Sequence, residues 1–130
     1  MTLGRTAESL RLARETVGLW LADGPQEVRD DAALIVSELV TNVLRHVPGG
    51  VHRDWVDVRL GRGRGFVRLE VVDPGTDLSG PELGEDDLLS ESGRGLRLVA
   101  GLAVRCGTWR TGDGCRVVRA DLAWPGAGTP

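Results

Sequence analysis

The chain contains no lysine, and all sixteen of its basic residues are arginine. Chemistry built on a lysine amine is thereby excluded, and no Gly-x-x-x-x-Gly-Lys-[Ser/Thr] phosphate loop occurs. An arginine-only choice reads as the codon usage of a GC-rich genome. Long apolar runs are also missing. None approaches the roughly 20 residues needed to span a bilayer, and Met1–Arg5 lacks the apolar core of a signal peptide. These absences predict a cytoplasmic protein with no membrane partner. The two cysteines, Cys106 and Cys115, form no metal-binding pattern and read as reduced thiols on neighbouring strands. A net charge of −3 gives no bulk attraction for nucleic acid. No internal repeat is present.

What is present suits one domain with its own core: 130 residues, 41% of them hydrophobic. The expected division is a single domain over 1–124 and a disordered tail over 125–130, rich in Pro and Gly. Leu10, Ala13, Val17, Trp20 and Leu21 recur at helical spacing and predict a helix over 6–22, with Arg11 and Arg14 exposed on it. Asp23-Gly24-Pro25 stops it. A second helix is predicted from Gln26 to Val47, ended by Pro48-Gly49-Gly50. Alternation over Asp54–Leu60 predicts a strand burying Val56, Val58 and Leu60. Gly61 to Gly65 reads as a turn into a second strand, Phe66–Val72, giving an antiparallel hairpin. A long acidic stretch follows, with Asp77, Glu82, Glu85, Asp86, Asp87 and Glu91, and its length predicts a lid or binding loop. A short helix after Gly95 and a hairpin of Ala103–Trp109 with Cys115–Ala123 complete the chain. This order predicts an α+β two-layer sandwich, a mixed or antiparallel sheet with helices on one face. It is not a Rossmann arrangement, because strands and helices do not alternate.

Three short patterns stand out. On the second helix, Glu38 and Asn42 are four apart and stack one turn above each other, with Thr41 and Arg45 on the same side. A carboxylate over a carboxamide beside an arginine suits a phosphate and metal site, and by itself also describes the solvated face of an amphipathic helix. Asp73-Pro74-Gly75 puts an acid at a strand end before a turn, which is also an ordinary turn sequence. Gly93-Arg94-Gly95 is a glycine turn at a helix start, where backbone N–H groups and the helix dipole favour anions.

In this order and spacing the three patterns resemble the GHKL, or histidine kinase-like, ATPase superfamily over about residues 8 to 122. Glu38-Leu39-Val40-Thr41-Asn42 is similar to its N box, Asp73-Pro74-Gly75 to the start of its G1 box, and Gly93-Arg94-Gly95-Leu96 to its G2 box. The short length and the wording of the N box resemble the stand-alone anti-sigma factor serine kinases. The resemblance implies a Bergerat-type ATP-binding fold with ATP and Mg²⁺ as cofactors. It implies Asn42 as the Mg²⁺ ligand, Glu38 as general base, and Asp73 as acceptor for the adenine amino group. Gly75 would let the backbone turn close to the base. Gly93, Gly95 and Leu96 would bring backbone to the phosphates, with charge added by Arg45 and Arg94. The implied activity is transfer of the ATP γ-phosphate to a serine of an anti-anti-sigma partner, together with sequestration of a sigma factor. A homodimer is compatible with it. The alternative is a nucleotide- or partner-binding module of the same fold without useful turnover. A detached histidine-kinase catalytic domain fits less well. His46 and His52 are the only histidines, and no phosphoacceptor histidine helix is present.

Four departures from the family pattern carry their own expectations. Asp77 stands where the G1 box has a second glycine. The last strand, around Gly114-Cys115-Arg116-Val117-Val118, lacks the threonine or serine expected near Asp73, which predicts weakened adenine recognition. The lid is short and acidic. Finally, Met1–Arg5 is too short for a clear first strand, which predicts one strand fewer or an unusual edge.

Overall fold

The computed structural model describes residues 1–46, 54–75 and 94–124. Five strands, β1 (Thr2–Gly4), β2 (Trp55–Gly63), β3 (Phe66–Asp73), β4 (Arg105–Arg110) and β5 (Arg116–Ala123), form one sheet in the order β1-β2-β3-β5-β4. Every neighbouring pair is antiparallel. Three helices accompany it: α1 (Ala7–Trp20), α2 (Gln26–His46) and α3 (Arg94–Leu102). The architecture is the expected α+β sandwich.

The core lies between the sheet and the helices. β2 contributes Val56 and Val58, β3 contributes Val67, Leu69 and Val71, and β5 contributes Val118, Ala120 and Leu122, all buried at alternate positions. α1 answers with Ala13 and Val17, at the spacing of one helical face. α2 is buried more widely. Ala32, Ile35, Val36, Leu39, Val40 and Val43 are all at most 1% exposed, because this helix packs against α1, α3 and the sheet together.

Two sequence expectations are corrected. The first strand exists: Leu3 is buried, Leu3 pairs with Val56, and the Met1 ammonium donates to the Val58 carbonyl at 2.7 Å. Three residues suffice because they extend a finished sheet edge and need not nucleate one. The second correction concerns Gly61–Gly65. β2 runs on through Gly63, with Gly61 opposite Arg68 and Gly63 opposite Phe66. Only Arg64 and Gly65 turn, with Gly65 at φ +81°. The Phe66 ring covers Gly63 so closely that a Cβ there would lie 2.1 Å from it. Between the glycines, Arg62 stacks 4.5 Å from the Trp124 ring and pairs with Asp23 at 3.0 Å. Gly63 thus serves a side chain that needs the space above the strand, while a Cβ on Gly61 would meet nothing within 4 Å.

The predicted acidic lid, the end of the second helix at Pro48-Gly49-Gly50, His52, Gly93 and the tail lie outside the described residues.

Candidate functional site

α2 positions the first group. Glu38 is half-buried, Arg45 is exposed, and Asn42 is 7% exposed. Sequence periodicity places Asn42 on the polar side of the helix. In the structure Asn42 alone of that side is buried, so its carboxamide is held inside the protein edge.

The direction of α3 follows from one shared cleft. Pro25, Glu27 and Val28 at the start of α2 line it together with Leu102 and Val104 at the end of α3. The two packed helices are therefore antiparallel. Nine residues of helix span about 13 Å, which brings the N-terminus of α3 alongside the second half of α2, where Glu38 and Asn42 are. α3 already includes Arg94 and Gly95 in its first turn, one turn earlier than the sequence reading. A glycine is tolerated there because first-turn N–H groups have no intrahelical partner.

The sheet brings Asp73 to the same end. Gly4 pairs with Trp55, and Asp57 pairs with Val72. Arg5, next after Gly4, donates through Nη2 to the carbonyls of Val43 and Leu44 at 3.2 and 3.4 Å. A cation on the last carbonyls of a helix is favourable for both hydrogen bonding and the helix dipole. The last turns of α2 and the Asp73 end of β3 are thus neighbours at one end of the sheet.

Asp73 itself is fully buried. Its Oδ1 accepts the Gly75 N–H at 2.7 Å, and its Oδ2 accepts Arg116 Nε–H at 3.0 Å. Arg116 lies directly opposite Asp73 in the β3–β5 ladder, with its side chain 11% exposed. Arg116 Nη2 is buried and has no hydrogen-bond partner among the described residues. This arginine was missed by sequence reasoning, which registered only that the expected threonine was absent. A signal was available. Arg116 falls in phase with the core-facing Val118, Ala120 and Leu122, and a charge at such a position demands a partner. Naming the partner required the register.

The backbone after Asp73 is tightly confined. Gly75 has φ +74°, and a Cβ on it would stand 2.5 Å from the Gly114 carbonyl oxygen. The β4–β5 turn behind it is tied by Thr111, whose Oγ1 accepts the Cys115 N–H at 3.1 Å. Burial, with the nearby Asp113 charge, raises the Cys115 thiol above its usual range, so at neutral pH it stays protonated. Neither cysteine forms a disulfide among the described residues, and both are half-buried.

The residues fit a magnesium nucleotide unevenly. Asn42 offers a neutral oxygen and Glu38 a carboxylate, the hard donors that Mg²⁺ takes. No cluster of three or more His, Cys, Asp or Glu forms a cage among the described residues, so the metal would depend on phosphates and water for most of its ligands. The Gly75 turn suits close approach to a flat ligand. The Asp73 carboxylate, however, is already held by Arg116.

Comparison with known proteins agrees with the fold. The family model for the histidine kinase-like ATPase domain matches residues 4–122. Among solved structures, the crystal structure of the RsbU and RsbW domains of Rv1364c from Mycobacterium tuberculosis is similar, with a TM-score of 0.66 and 19% identity. That match covers 95% of this chain and 32% of the other, about a third of its length. At this identity the likeness is one of fold. No curated protein matches the chain.

Proposed function

Because the chain belongs to the histidine kinase-like ATPase family, we propose that it binds ATP with Mg²⁺ and acts as an anti-sigma factor serine kinase. It passes the γ-phosphate to a serine of an anti-anti-sigma protein and sequesters a sigma factor. The observation that carries this reading is the placement of Glu38 and Asn42 one turn apart on α2, a helix that packs against α3. The shared fold with a chain containing an RsbW domain supports it.

Each residue has a role in this reading. Asn42 Oδ1 holds the metal. Glu38 accepts the proton of the attacking serine hydroxyl. The free N–H groups of the first turn of α3 hold phosphate oxygens, and Gly93, Gly95 and Leu96 keep backbone close to them. Arg45 and Arg94 add positive charge. When bound, Mg-ATP supplies the transferable phosphoryl group, and catalysis is by positioning and electrostatics.

The test is incubation with γ-labelled ATP and candidate antagonist proteins. Label should appear on a serine of one of them. Glu38→Ala should retain nucleotide binding and lose transfer by about 100-fold or more. Transfer at the wild-type rate by that variant would remove Glu38 from the role of base.

One observation favours a second reading, a module that holds nucleotide or a partner without turnover. It is the occupied state of Asp73, which departs from an open adenine acceptor. In that case the wild-type chain gives no labelled product with any antagonist while still binding a partner.

A further inference from the structure

We propose that Arg116 is an internal stand-in for the nucleotide base, so that base binding must compete with the Asp73–Arg116 ion pair. This rests on the assignment of Asp73 to the base end of the nucleotide site. The argument begins with the capacity of Asp73. A carboxylate has two oxygens, and here both are engaged, Oδ1 by the Gly75 N–H at 2.7 Å and Oδ2 by Arg116 at 3.0 Å. The group is fully buried, so these are its principal contacts. An exocyclic amine of a base needs one of the same oxygens. Arg116 donates one planar N–H to the carboxylate, from Nε, much as a base presents its amine.

The fit of Arg116 is incomplete, which makes it displaceable. Its Nη2 is buried with no acceptor among the described residues. A buried donor left unpaired costs free energy that a fully satisfied ion pair would not. The pair therefore holds the pocket end closed without the full stability of a bidentate bridge. By contrast Arg68 grips Asp121 with both Nε and Nη2, at 2.8 and 3.1 Å. The two buried aspartates of this sheet thus differ: Asp121 is held by a fork and Asp73 by a single nitrogen.

Position supports the same reading. Arg116 and Asp73 are direct cross-strand partners, which puts the guanidinium within reach of the carboxylate. The Gly75 turn packs within contact of the Gly114 carbonyl, leaving backbone shift a poor route to open space. Rotation of the Arg116 side chain, which is 11% exposed, is the route that remains.

The consequence is a shift in what a nucleotide gains on binding. Its phosphate end is served by α2 and α3, and its base end first has to displace Arg116. Wild-type protein should therefore discriminate weakly between Mg-ATP and Mg-tripolyphosphate. Arg116→Thr leaves Asp73 with a free acceptor and a small neighbour, and should bind the base.

The experiment titrates Mg-ATP and Mg-tripolyphosphate into wild-type protein and Arg116→Thr by calorimetry, with thermal melting of both proteins. Expected results are a preference for ATP of less than tenfold in the wild type, and ATP binding at least tenfold tighter in the variant than in the wild type. Equal or weaker ATP binding by a folded variant overturns the inference and leaves the nucleotide site standing. A wild-type preference for ATP of tenfold or more also overturns it, and that arm does not depend on the variant folding. Binding of neither compound by either protein overturns the nucleotide assignment and this inference together.

Discussion

Gly75 has two independent reasons to be glycine, a positive φ of +74° and a neighbouring carbonyl oxygen 2.5 Å from any Cβ. Only glycine adopts such a backbone without cost, and here no flexible side chain can give way. Gly75→Ala should destabilise the protein by about 2 kcal/mol or more, measured as a lowered urea midpoint with unchanged slope. An unchanged midpoint would mean the turn is not confined as described. Such a glycine was visible in the sequence as a turn signal. The reason for it was not, because Gly114 is far away in the chain and only strand register brings it close. The same holds for Asp73. Its position at a strand end was legible, whereas Arg116 as its partner was not.

At the scale of the element, the outward face of the sheet carries a charge cluster that sets acid stability. Asp121 on β5 is buried, accepts two hydrogen bonds from Arg68, and has Arg105 at 3.2 Å. Burial pushes its carboxyl up, but the Arg68 hydrogen bonds and the charges of Arg68, Arg105 and Arg119 outweigh it and hold the carboxyl below its usual range. In the unfolded chain the same group takes up a proton at about pH 4. On acidification the unfolded state therefore binds its proton first. The stabilisation is complete above about pH 4 and is lost as the pH falls through the lower folded value. Asp121→Asn should be less stable than wild type at pH 6, and should lose less stability between pH 4 and pH 2. Urea midpoints across that range test this, and parallel curves for the two proteins would contradict it. Helices and strands were largely legible because periodicity reports burial directly. The failures came from neighbours. Gly61 and Gly63 read as turn residues until the register pairs them with Arg68 and Phe66, and the Phe66 ring is seen to need the space over Gly63. Thr2–Gly4 were too few to read as a strand until the β2 edge supplies their pairing.

For the whole molecule, the two-layer architecture and the three motifs were accessible from order and spacing, because two motifs sit at element boundaries that glycine, proline or an acid marks and the third lies on one face of a long helix. Their gathering at one end of the sheet was not accessible. It depends on the antiparallel packing of α3 on α2, on Arg5 reaching the end of α2, and on the β1-β2-β3 register. None of these is local in sequence. The resulting account divides the site in two. In the proposed reading the end at α2 and α3 holds metal and phosphate, and at the other end Asp73 is paired with Arg116. That reading gives Asn42 the larger share of control over binding. The most direct test of the central claim is calorimetric titration of ATP into wild-type protein with and without Mg²⁺, beside Asn42→Ala, whose folded state is checked by melting. The account predicts saturable heat that requires Mg²⁺ and that falls at least tenfold in affinity in folded Asn42→Ala. Wild-type binding that is indifferent to both Mg²⁺ and Asn42 would contradict it.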